Sequence, residues 1–177
     1  MKSNSKISSV ALCAILCAQA IAISFLESLI PTSAIMPPGA KLGFSNIVTM
    51  FSVEILGIKY ALCITAFKAL FAFFTRGFTA GLMSFFGGIF SMLVMYLLLK
   101  NKKLDIGYIG IAVSSAITHN AAQLMIFVFI SATPSVAYYF PVLFFMSLIT
   151  GSVTGLLLKT VMPVLIKQKK IFIKGVE

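Results

Sequence analysis

Eight polar or ionisable residues stand inside long apolar runs or at their edges: Glu27, Lys41, Asn46, Lys68, Arg76, His119, Asn120 and Gln123. Ionisable groups are costly to hold in such surroundings, so they default to function or to a paired structural role. Three cations, Lys41, Lys68 and Arg76, against the single carboxylate Glu27 suit a small polar ligand, preferably an anionic one. His119 and Gln123 lie four residues apart and so share one face of a helix. Each group also has a plainer reading. Lys41 and Arg76 read equally as cations snorkelling to a membrane interface. Lys68 reads as half of a buried pair with Glu27 or Glu54. His119 and Asn120 with Gln123 read as a hydrogen-bonded cluster between helices. Glu54 most simply neutralises Lys59 or another cation.

Catalytic motifs are scarce. The acidic residues are Glu27, Glu54, Asp105 and Glu177, and no two are neighbours in sequence. There is no aspartate-rich pair to hold magnesium and diphosphate, no glycine-rich phosphate loop followed by lysine and no Gly-x-Ser-x-Gly elbow. One histidine without a ligand pattern argues against a metal site. Cys13 and Cys17 share a helix face but have no third or fourth ligand near them in sequence, and with Cys63 they read as small core residues. The expectation is a protein that is not an enzyme and that carries no cofactor.

The elements positioning these groups follow from hydropathy. Of 177 residues 60% are hydrophobic and 10% charged, with mean hydropathy +1.08. A soluble domain, whose surface is wet and of whose residues about 25% are charged, cannot hide that much apolar surface. At roughly 20 residues per crossing, the chain suits a single all-α transmembrane domain, 1–177, with six spans at about 7–30, 44–56, 60–74, 78–99, 106–131 and 139–166. The N-terminus imitates a secretory signal, with Lys2 and Lys6, an apolar run and Ala18-Gln19-Ala20, but the run continues to Ile30 and suits a retained span. The second span is short and needs help from loop residues. Gly57 and Gly77 mark tight turns.

Net charge is +10, and its distribution speaks of topology rather than nucleic acid, so no nucleic-acid partner is expected. With the N-terminus inside, Lys2, Lys6, Lys59, Lys100, Lys102, Lys103, Lys159, Lys167, Lys169, Lys170 and Lys174 fall on the cytoplasmic side, and Lys41 and Arg76 outside. That bias predicts a multi-pass plasma-membrane protein with both termini cytoplasmic. The basic tail would also touch anionic membrane lipid. It also places most of the eight polar residues towards the outer face.

Three spans carry small residues every fourth position: Ala14, Ala18 and Ala22; Ala80, Ser84 and Gly88; Ser147, Gly151 and Gly155. Such stripes let helix backbones approach closely in lipid. Each reads as internal packing or as a docking face for another membrane protein.

Glu27-Ser-Leu-Ile-Pro31, the loop Pro38-Gly-Ala-Lys-Leu-Gly-Phe-Ser-Asn46-Ile-Val-Thr49, the Gly87-Gly88 pair, His119-Asn120-x-x-Gln123, Tyr138-Tyr-Phe-Pro141 and Thr150-Gly151 resemble the Gx transporter family, often labelled heptaprenyl diphosphate synthase component I. That family is similar to the substrate-binding (S) components of energy-coupling factor (ECF) transporters. The resemblance implies a six-helix bundle that captures a small vitamin- or cofactor-like molecule from outside. It implies as partners a transmembrane coupling subunit, met through Ala14, Ala18 and Ala22, and two cytoplasmic ATPases. The loop bearing Lys41 would act as a lid. The family label points instead to a noncatalytic membrane subunit of isoprenoid or quinone biosynthesis, or of a membrane redox system. A self-contained carrier would show repeat symmetry between its halves, and none is evident between residues 1–90 and 91–177.

Overall fold

A computed structural model describes residues 2–29, 43–101 and 106–174. Among these there are helices and no strand: α1 (Lys2–Ser28), α2 (Asn46–Ile55), α3 (Ile58–Arg76), α4 (Phe78–Lys100), α5 (Tyr108–Ser131) and α6 (Phe140–Lys174), with a 3-10 turn at Pro134–Tyr139 before α6. Lys41 and the rest of the loop to which a lid was assigned lie outside the described residues.

Five helices are long and apolar enough to cross a bilayer; α2 is not. Six helices thus stand where six spans were expected, and among the described residues five have the length of a crossing while α2 has half of it. At 1.5 Å per residue the ten residues of α2 reach about 15 Å, half of a hydrocarbon core about 30 Å thick. A helix this short survives at membrane depth only where protein, not lipid, surrounds its ends. That is the situation of α2, which packs against α1, α3, α4, α5 and α6. Its side chains accordingly feed separate parts of the interior. Met50 joins Met95, Ile111, Leu158 and Met162, Val48 joins Leu16, Ala20 and Ile64, and Val53 joins Ala61 and Met92.

Successive helices reverse direction, the short α2 counted among them, so that α1 and α3 run parallel. Gly57 and Gly77, at φ +91° and +90°, each reverse the chain almost within a residue, a backbone region that glycine enters without steric penalty. The C-terminal ends of α1 and α3 therefore meet the N-terminal ends of α2 and α4 at one end of the bundle.

The three small-residue stripes, alike in sequence, separate here. Ser147, Gly151 and Gly155 are buried, and a Cβ on Gly151 or Gly155 would lie 2.6 Å from Val113 Cα or 2.5 Å from Ile109 Cα. Backbone meets backbone between α5 and α6. Ala80, Ser84 and Gly88 are also buried, and a Cβ on Gly88 would stand 2.5 Å from Thr65 Cγ2. Ala14, Ala18 and Ala22 are exposed, because α1 turns Cys13, Leu16, Ala20, Ser24 and Glu27 inward instead. Among the described residues nothing covers the alanine stripe.

Candidate functional site

The junction of α1, α2, α3, α4 and α5, towards the end of the bundle where α1 and α3 finish, holds a cavity with about 260 Å³ of empty space, its mouth included. Glu27, Lys68, Arg76, His119 and Gln123 line it, with Ser24, Gly43, Ser45 and Ser84. Six of the eight residues singled out by type and spacing thus converge, since Asn46 is tied to Lys68 at its edge.

Lys68 is 1% exposed. Its Nζ donates to Asn46 Oδ1 at 2.9 Å and to Ser45 Oγ at 3.2 Å, both at the start of α2. Stripping water from an ammonium costs several kcal/mol, and two such bonds at about 1.5–3 kcal/mol each offset much of it. Glu27 offsets more: its charge acts on both Lys68 and Arg76. Of the two carboxylates considered as partners, Glu27 is the one whose charge reaches Lys68, while the ammonium's hydrogen bonds run to Ser45 and Asn46. Glu54 lies at the other end of α2 and accepts a 2.7 Å hydrogen bond from the Tyr108 hydroxyl where a cation was expected.

One Glu27 oxygen accepts the Phe44 N–H at 2.6 Å, so α1 holds the chain leading into α2. A carboxylate at a helix N-terminus is favoured by the helix dipole. The same dipole adds positive potential to a cavity already holding two cations against one carboxylate, an arrangement suited to an anionic group.

His119 and Gln123, a turn apart on α5, are hydrogen-bonded to each other, and two glycines admit them. A Cβ on Gly87 would stand 3.0 Å from His119 Cε1 and Gln123 Cγ, and one on Gly43, at φ +90°, would stand 3.2 Å from His119 Cδ2. Both glycines are required by close approach. Asn120 points elsewhere: its Nδ2 donates to Ser147 Oγ at 2.8 Å, and Ser147 in turn donates to Leu143 O at 2.7 Å. It joins α5 to α6 and is not among the residues lining this cavity.

A family model for heptaprenyl diphosphate synthase component I matches residues 16–161. The chain belongs to that family. No curated protein and no solved structure matches it. In this member of the component I family the matched segment runs from the middle of α1 into α6 and includes every residue lining the cavity.

Several cavity residues escaped sequence reasoning. Ser24 lies one turn before Glu27 and Ser45 next to Asn46; adjacency was their only signal. Ser84 was visible merely as a stripe member. Of the three cysteines expected in the core, Cys13 is buried and Cys17 half-buried, whereas Cys63 is exposed, because α3 turns that face away from the bundle. Among the described residues no group of three or more His, Cys, Asp or Glu side chains could hold a metal ion.

Proposed function

We propose that this component I family member is the S component of an ECF-type uptake transporter, capturing a small, anionic, vitamin- or cofactor-like molecule. The observation that carries this reading is the polar cavity towards the end where α1 and α3 finish, where buried Lys68 meets Arg76, Glu27, His119 and the start of α2. A membrane anchor has no use for a desolvated ammonium within its bundle. The lysine distribution argues that this end faces outward and both termini the cytoplasm. The exposed Ala14, Ala18 and Ala22 stripe supplies a face on which a coupling subunit can approach α1 closely. Ligand would enter from outside, the bundle would dock through α1, and ATP hydrolysis by two partner ATPases would drive its reorientation. Membrane lipid surrounds the other helices.

The family description favours a second reading, a noncatalytic membrane subunit of a prenyl diphosphate synthase. Purification from native membranes separates the two. Recovery of ATPases with a coupling subunit supports the transporter. Recovery of a soluble prenyl synthase without them refutes it.

A further inference from the structure

A second cavity, with about 250 Å³ of empty space, adjoins the cationic one. Gly43 lines both, and consecutive residues of α2 divide between them, Ser45 lining the first and Asn46 the second. The inward face of α5 runs through both as well, Ser115 lining the second cavity and His119 the first. Four helical residues separate these two, or about 6 Å along the axis.

The second cavity differs in chemistry. Met50, Met95 and Leu158 make much of its wall, and among the described residues no charged side chain lines it. Two of its polar groups, Asn46 Nδ2 and Ser115 Oγ, are buried without a hydrogen-bond partner, on residues 6% and 1% exposed. Asn46 has committed its carbonyl oxygen to Lys68, so its free group is a donor. Thr150 and Thr154 spend their hydroxyl protons on backbone carbonyls of α6. Buried donors left unmatched cost about 1–3 kcal/mol each, so this wall calls for an acceptor.

We infer that the two cavities form one bipartite site for an amphipathic small anion. Its acidic group lies against Lys68 and Arg76, and its uncharged apolar body runs along α5 past Gly43 and offers an oxygen acceptor to Asn46 and Ser115. The inference rests on the substrate-binding reading and narrows its ligand class.

The test uses the full chain in lipid nanodiscs, with acetate, pentanoate, 4-oxopentanoate and pentan-1-ol as probes. His119 is the sole histidine, so the NMR signal of its labelled imidazole reports on the site directly. Pentanoate should bind at least about tenfold more tightly than acetate, since each buried methylene adds roughly fourfold. Pentan-1-ol should bind far more weakly than pentanoate. Ser115→Leu should reduce pentanoate to the acetate level. The milder Ser115→Ala should weaken 4-oxopentanoate by about fivefold, one neutral hydrogen bond, and leave pentanoate near its original affinity. Equal binding of acetate and pentanoate would overturn the bipartite site and leave the anion reading standing. Pentan-1-ol binding as tightly as pentanoate would overturn the anionic anchor. No response to any acid, acetate included, would overturn both readings.

Discussion

Replacing Gly151 or Gly155 by alanine should destabilise the bundle, and replacing Ala18 by leucine should not. At Gly151 an added Cβ falls 2.6 Å from Val113 Cα and 3.0 Å from Val113 N; at Gly155 it falls 2.5 Å from Ile109 Cα and 3.1 Å from Tyr108 O. Ordinary contact begins at 3.4 Å, so each substitution overlaps its neighbour by about 0.8 to 0.9 Å. The neighbours are backbone atoms of α5, which no rotamer change can move aside. The helices must separate, and overpacking of this kind costs about 1–3 kcal/mol. The double variant should lose less than the sum of the single ones, because one displacement of α5 relieves both overlaps. Ala18 faces away from the bundle, so Ala18→Leu should stay within about 0.5 kcal/mol of the parent. Unfolding in mixed micelles of dodecylmaltoside and sodium dodecyl sulfate, followed by circular dichroism, measures all four. The reasoning is refuted if Gly151→Ala is as stable as the parent, or if Ala18→Leu loses more than Gly151→Ala.

Three further outcomes follow from individual contacts. Tyr108→Phe leaves Glu54 without the one hydrogen bond its carboxylate accepts and should lose about 1.5–3 kcal/mol in the same unfolding assay; stability equal to the parent would remove this pair from the account of how α2 is held to α5. Asn120→Ala should lose about 1 kcal/mol through its bond to Ser147 while leaving acetate binding at the cavity unaltered, and a matching loss of binding would place Asn120 in the site after all. Gly87→Ala, whose Cβ would stand 3.0 Å from His119, should shift the imidazole NMR signal, whereas Gly110→Ala, whose Cβ would meet only the Ile106 side chain, should not. Identical spectra for the two variants would contradict the packing around His119.

Much of the fold was legible because its signals are local. Charge scarcity and unbroken hydropathy demand membrane helices, and the glycines at 57 and 77 mark the reversals that occur there. The short run at 44–56 already departed from the length of a crossing, yet nothing local could show that it becomes the helix all the others surround. Lys68 was legible as anomalous, for an ammonium in mid-helix demands a partner. That its partners are Ser45 and Asn46, more than twenty residues away, depends on α2 lying against α3. Asn120 shows the converse: its type and its neighbours in sequence match those of His119, and the 100° step between consecutive helical residues sends it to α6 instead.

The sequence by itself determined that this is a multi-pass helical membrane protein of the component I family with a cluster of polar side chains towards one end, since hydropathy, charge and motif are properties of residue type and spacing. Only the tertiary structure decided that α2 stays half-length at the centre of five helices long enough to cross, which residues of the cluster share a cavity, and which of three equivalent small-residue stripes is left exposed among the described residues. A stripe of alanines or glycines states that a backbone can come close. What comes close depends on the rotation of each helix about its axis, which is set by packing against every neighbour at once.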